Sequence, residues 1–133
     1  VHPPTSQQDW SIQADQAQLL QVFIILLDNA ILALQGTETR EIFMELGAEG
    51  TEHVRLTLED TGPGIPEELA DRLFEPFVTG RKREGALSGT GLGLAIAHRV
   101  ITRHQGSILA SRSPEHGGAR FDIVLPVRQG LPV

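Results

Sequence analysis

The sequence predicts an α/β domain in which helices cover one face of a mixed, mainly antiparallel sheet. Three observations carry that expectation. Apolar residues recur at helical spacing between positions 15 and 34, a cleanly alternating strand runs from His53 to Asp60, and the order along the chain is helix, two strands, short helix, polar loop, helix, two strands. A chain of 133 residues is sized for one domain with a real core.

Residues 1–9 are polar and proline-containing and read as a linker or a trimmed start, with the domain expected over 10–127 and a short C-terminal tail over 128–133. Trp10 to Gln13 reads as a short strand. Asp15 then stands where an N-cap belongs, with Gln18 three residues on as its capping-box partner. The helix that follows is expected to bury Leu20, Phe23, Leu27, Ala30, Ile31 and Leu34. Gly36 and Thr37 end it. Two strands come next, Glu41 to Leu46 and His53 to Asp60, joined by the turn-rich Gly47-Ala48-Glu49-Gly50. After Pro66 a short helix spans Glu67 to Leu73. Phe74-Glu75-Pro76-Phe77 follows, two aromatics that anchor the start of a polar, basic loop from Val78 to Ser88, which reads as a lid. A helix from about Gly91 to Arg103 and strands Ser107 to Ser111 and Ala119 to Val127 complete the chain, with Phe121, Ile123 and Leu125 on one strand face.

Three places carry candidate chemistry. Ser88-Gly89-Thr90-Gly91-Leu92-Gly93-Leu94 runs three alternate glycines into an apolar helix. Unpaired N–H groups and the helix dipole at such a start suit a phosphate, and a tight turn with close helix packing is the other reading. No Gly-Lys-Ser/Thr follows, and the spacing does not match G-x-G-x-x-G. Asp28 and Asn29 interrupt the first helix's apolar run; Asn29 is either an exposed polar edge or a ligand for a metal–phosphate group. Asp60 continues the apolar face of Val54, Leu56 and Leu58, so its carboxylate reaches the edge of the core and needs a donor. Asp60-Thr61-Gly62 is a plain turn, the triplet of a dimeric aspartic protease, or a holder of a ligand amino group. The long helices speak against the protease, which is an all-β design.

Charge and composition exclude other classes. A net charge of −6 with a single basic run, Arg81-Lys82-Arg83, argues against a general nucleic-acid surface. No apolar stretch is read as reaching the length of a membrane span, and no signal peptide opens the chain. With no cysteine there are no disulfides and no thiolate metal site.

Four motifs in order, Asp28-Asn29-Ala30, Asp60-Thr61-Gly62-Pro63-Gly64-Ile65, Phe74-Glu75-Pro76-Phe77 and Gly89-Thr90-Gly91-Leu92-Gly93-Leu94, match the N, G1, F and G2 boxes. Residues 10–127 thus resemble the catalytic, ATP-binding domain of bacterial sensor histidine kinases, in the superfamily of gyrase, Hsp90, kinases and MutL. The spelling of the last two motifs is similar to the nitrogen-regulation type. The resemblance implies the Bergerat ATP-binding fold, with ATP and Mg²⁺ as cofactors. It makes Asp60 the acceptor of the adenine amino group, with Gly62, Gly64 and Ile65 around the base. Asn29 becomes the catalytic position, holding Mg²⁺ against the phosphates. The Gly89, Thr90, Gly91, Leu92, Gly93 and Leu94 backbone would wrap the phosphate chain under a lid that brings Phe77, Arg81 and Lys82.

The implied activity is transfer of the ATP γ-phosphoryl group to a histidine on a separate dimerisation domain, and from there to a response regulator. No histidine here qualifies as the acceptor, which in this family is followed by an acidic residue. His2, His53, His98, His104 and His116 are followed by Pro, Val, Arg, Gln and Gly. A monomeric catalytic unit is expected, cytoplasmic, with no nucleic-acid or membrane contact of its own. Two positions depart from the family pattern: Ile25 and Leu32, which flank Asn29 on its own helix face, are aliphatic. The first is usually a second Asn in the kinases and the water-activating Glu in the ATPases; the second is often Lys or polar. That argues against chaperone or topoisomerase ATPase function and keeps a degenerate nucleotide-binding regulatory module as the alternative.

Overall fold

A computed structural model describes residues 15–76 and 92–127. The expected strand at 10–13 and the lid at 78–88 lie outside the described residues, as do Phe77, Arg81, Lys82, Gly89, Thr90 and Gly91. In order, the elements are α1 (Gln16–Ala33), β1 (Ile42–Glu49), β2 (His53–Asp60), α2 (Glu67–Ala70), α3 (Gly93–Arg103), β3 (Ser107–Arg112) and β4 (Ala119–Pro126). The strands form one sheet in the order β1-β2-β4-β3. Every described pairing is antiparallel, which narrows the expected mixed sheet to its antiparallel part.

Asp15 caps α1 as its sequence position predicts, its side chain accepting from the Gln18 N–H at 3.1 Å. The reciprocal capping-box bond is replaced: the Asp15 N–H donates to His104 Nε2 at 3.0 Å, while the other ring nitrogen of His104 bonds the Val100 carbonyl at 2.8 Å. That ties the start of α1 to the end of α3. The core face of α1 is Val22, Leu26, Ala30 and Leu34; of the expected stripe Ala30 and Leu34 are buried and Phe23 and Leu27 half-buried, while Leu20 and Ile31 are 59% and 52% exposed. Residues 19–34 are apolar almost all round, so spacing shows a helix without selecting its face. This composition also makes α1, at 18 residues, long and apolar enough by length and composition to cross a membrane, correcting the reading that no stretch reaches that length. Here one side of it is buried against the sheet and α3.

The inner face of the sheet carries Val54 and Leu58 from β2 and Phe121, Ile123 and Leu125 from β4, all buried against the helices. Cross-strand pairs Leu58–Phe121 and Val54–Leu125 sit directly opposite, as the alternation in both strands requires. Strand β1 runs three residues beyond the expected end, because Gly47, Ala48 and Glu49 pair with Arg55, Val54 and His53. The turn shortens to Gly50-Thr51-Glu52. Helix α2 stops at Ala70, and the chain continues in i→i+3 turns, with Arg72 N bonded to Leu69 O and Glu75 N to Arg72 O. Helix α3 starts at Gly93, with Leu92 as N-cap. It ends on Gln105 at φ 62°, the left-handed stop.

Candidate functional site

Strand β2 delivers Asp60 to the top of the inner face, where it is 1% exposed. A buried carboxylate is costly unless hydrogen-bonded, and Asp60 is bonded locally. Its Oδ1 accepts the Gly62 N–H at 2.9 Å across the following turn and the Ala119 N–H at 3.1 Å from the start of β4. Both of these bonds converge on one oxygen, so the carboxylate's orientation is set by two backbone segments distant in sequence.

The turn after Asp60 is pinned from three sides. Thr61 N–H donates to the Glu41 carbonyl at 3.2 Å, and Thr61 Oγ1 donates to the Thr39 carbonyl at 3.0 Å and accepts from Glu41 N–H at 3.1 Å. A Cβ at Gly62 would lie 2.9 Å from the Ala33 carbonyl, so the turn presses on the end of α1. Gly64 adopts φ +88°, which an L side chain rarely takes, and faces the Gly117 carbonyl. Ile65 packs on the core from this turn.

Against this turn and Asp60 packs the loop between β3 and β4. It is a tight loop, closed by Ser113 N–H to the Gly118 carbonyl at 2.7 Å and Gly117 N–H to the Ser113 carbonyl at 2.9 Å. Gly118 and Ala119 are site residues that the sequence reading missed. The signal available was the Gly117-Gly118 doublet immediately before a strand.

Asn29 lies half-buried on α1, its Nδ2 donating to the Ile25 carbonyl at 2.8 Å one turn back. The amide therefore turns its nitrogen down the helix, and its oxygen is of the kind a hard cation takes. Ile25 packs against the core and stands beside Gly93, whose Cβ would lie 3.3 Å from Ile25 Cγ2. The first turn of α3 thus approaches α1 closely at the residue one turn before Asn29. Leu94 is buried, and Leu92 is more exposed. Phe74 anchors its motif as expected, stacked on His98 at 5.4 Å between ring centroids and edge-on to Phe121 at 6.4 Å.

Residues 14–129 match the family described as histidine kinase-, DNA gyrase B-, and HSP90-like ATPase. The chain belongs to this family. This ATPase-family domain is 42% identical over 118 residues to sporulation kinase E of Bacillus subtilis, covering 89% of this chain and 15% of that protein. It is 39% identical over 124 residues to the sensory histidine kinase/phosphatase NtrB of Escherichia coli O157:H7, covering 86% of this chain and 33% of the relative. Among solved structures, a mycobacterial sensor histidine kinase, MprB, superposes with a TM-score of 0.77 at 29% identity, covering 90% of this chain and 78% of that one. Full-length ShkA in complex with AMPPNP gives 0.72 at 28% identity, over 93% of this chain and 24% of ShkA. The chain spans about a sixth to a third of the length of these curated relatives.

The domain is therefore the catalytic, ATP-binding domain of a histidine kinase, with the α/β fold that the four motifs implied. The aspartic-protease reading of Asp60-Thr61-Gly62 falls with it, since helices α1 and α3 pack on the sheet that carries the triplet.

Proposed function

We propose that the domain binds Mg²⁺-ATP and delivers its γ-phosphoryl group to a histidine on a separate dimerisation domain, which then serves a cognate response regulator. The observation that carries the reading is the Asp60 carboxylate, buried and oriented by the Gly62 and Ala119 N–H groups on Oδ1. Oδ2 is then the acceptor for an adenine amino group. A fixed acceptor needs little reorganisation on binding, which favours affinity and base selectivity.

In this reading Asn29 would hold Mg²⁺ through its amide oxygen, and the cation would supply positive charge against the phosphates. Backbone N–H groups at the start of α3, with Leu92, Gly93 and Leu94, receive the phosphate chain. The sequence assigns Gly89, Thr90 and Gly91 to the same cradle and Phe77, Arg81 and Lys82 to the lid. AMPPNP bound to ShkA and the complex of the kinase ThkA with its response regulator TrrA support the ligand class and the partner. The domain acts in the cytoplasm as a monomeric unit without membrane or nucleic-acid contact of its own.

The test is phosphoryl transfer from γ-labelled ATP to the dimerisation domain of the same protein, supplied separately. Label on the acceptor histidine supports the kinase. Nucleotide binding with no transfer to that acceptor supports the regulatory module, which the aliphatic Ile25 and Leu32 favour.

A further inference from the structure

The outer face of the sheet carries a cluster that nucleotide binding does not use. Glu59, Glu115 and His116 bring a carboxylate oxygen, a carboxylate oxygen and an imidazole nitrogen within 4.8 Å of one another. His116 Nε2 lies 3.6 Å from Glu59 Oε2 and 3.7 Å from Glu115 Oε2. Four tetrahedral ligands at the roughly 2.0–2.2 Å bond lengths of zinc stand about 3.4 Å apart, so the two distances to His116 need to close by a few tenths of an ångström and the separation of the two carboxylates, within 4.8 Å, closes by a turn of the exposed Glu115 side chain.

Two further features hold the donors in place. The His116 ring stacks on Phe43, with centroids 3.9 Å apart and planes 4° from parallel. Glu59 is 8% exposed and receives Arg120 Nη1 on Oε1 at 3.2 Å, leaving Oε2 as the oxygen that faces His116. Partners that hold a ligand's second atom are how metal ligands are oriented. Arg120 places a positive charge nearby, and Asp122, bonded to its Nε at 3.0 Å, offsets it.

We propose that Glu59, Glu115 and His116 form a site for a borderline divalent cation of the zinc class, with water in the fourth position. The imidazole disfavours Mg²⁺, which takes oxygen ligands and keeps its waters. The site bridges β2 to the β3–β4 loop. It therefore fastens the loop whose Gly117 and Gly118 form a wall beside Asp60, and metal binding stiffens that wall from the other side of the sheet.

Calorimetric titration of the full chain with Zn²⁺ tests the site. The expected result is one equivalent per chain, with affinity reduced at least about tenfold in Glu115→Ala and in His116→Ala, and unchanged in His53→Ala. Glu115 is 79% exposed at its side chain, so its replacement leaves the fold intact even if loss of the His116 stack does not. Zn²⁺ should also slow amide exchange over residues 113–118. No stoichiometric binding, or binding that survives Glu115→Ala unchanged, overturns the proposal.

Discussion

Gly118 lies flat against Asp60: a Cβ on Gly118 would stand 2.1 Å from the Asp60 carbonyl oxygen and 2.2 Å from its Oδ1. Both atoms are fixed, one by the backbone and the other by two hydrogen bonds, so neither has room to give. Gly118→Ala is expected to destabilise the domain by at least about 1–3 kcal/mol, the usual cost of overpacking a filled site, and to reduce ATP affinity further by turning the carboxylate. Gly47→Ala is the control, since a Cβ there meets nothing within 4 Å. Thermal unfolding and fluorescent-nucleotide titration of both variants check this. Equal behaviour of the two would mean that the loop moves freely away from Asp60.

Base selectivity is expected from the same carboxylate. Adenine offers an amino group where guanine has a carbonyl, so Asp60 faces a donor in one case and an acceptor in the other. A hydrogen bond to a charged group contributes about 1.5–3 kcal/mol, enough for at least roughly tenfold preference for ATP over GTP. In Asp60→Asn the amide oxygen still accepts from Gly62 and Ala119, while its NH₂ replaces the second acceptor. The variant should stay folded and lose most of the ATP preference. Competition binding with both nucleotides decides it, and equal affinities in the unmodified domain would remove Asp60 from the base site.

Arg120 bonds to Asp122 through Nε at 3.0 Å and Nη2 at 3.2 Å and to Glu59 through Nη1 at 3.2 Å, spanning the outer sheet face. The hydrogen bond to Asp122 raises its pKa above the ordinary guanidinium value, against a lowering by burial, with the charges of Asp122 and Glu59 adding to the rise. Arg120→Ala leaves two carboxylates, each about nine-tenths covered, without that cation. A loss of about 1–2 kcal/mol is expected, above the roughly 0–1 of an exposed pair. Urea midpoints measure it, and the Arg120→Ala, Asp122→Ala double variant should lose less than the two single losses added.

Much of this was legible in the residues. The alternation from His53 to Asp60 marked β2 at both ends, with Val54, Leu58 and Asp60 buried on the inner face, although Thr57 and Glu59 on the outer face are buried as well. Asp60 was found as a core-edge carboxylate on the same logic. Its second donor, Ala119, comes from 59 residues away, and the sheet order β2-β4 that joins them is not written in either segment. The buried face of α1 keeps Ala30 and Leu34 of the expected stripe but turns away from Leu20 and Ile31, for a related reason. Its burial is decided by what packs on it, and a helix apolar all round offers several faces. Glu59 and His116 met only through that same sheet order and the loop that follows β3.

Ile25 bears on the Mg²⁺ position proposed at Asn29. It sits one turn before Asn29, contributes its carbonyl to the Asn29 amide and lies against Gly93, so an aliphatic group stands where the start of α3 meets α1. Mg²⁺ takes oxygen ligands and retains waters, so this side chain offers neither a ligand nor an acceptor for a bound water. Leu32, half-buried three residues past Asn29, brings no charge to the phosphates. Weak nucleotide binding with modest Mg²⁺ dependence is expected, and very slow hydrolysis by the domain alone, because neither side chain flanking Asn29 supplies a general base. Ile25→Asn should tighten Mg²⁺-ATP by about tenfold or more, the scale on which an outer-shell partner acts. The same change removes apolar packing beside Gly93 and should cost about 1–3 kcal/mol of stability. Leu32→Lys should tighten ATP more than ADP, since the added charge meets the terminal phosphate. Calorimetry with and without EDTA separates the metal's contribution from the nucleotide's. If the unmodified domain already binds Mg²⁺-ATP tightly and neither substitution improves it, the cation is held by residues other than those around Asn29.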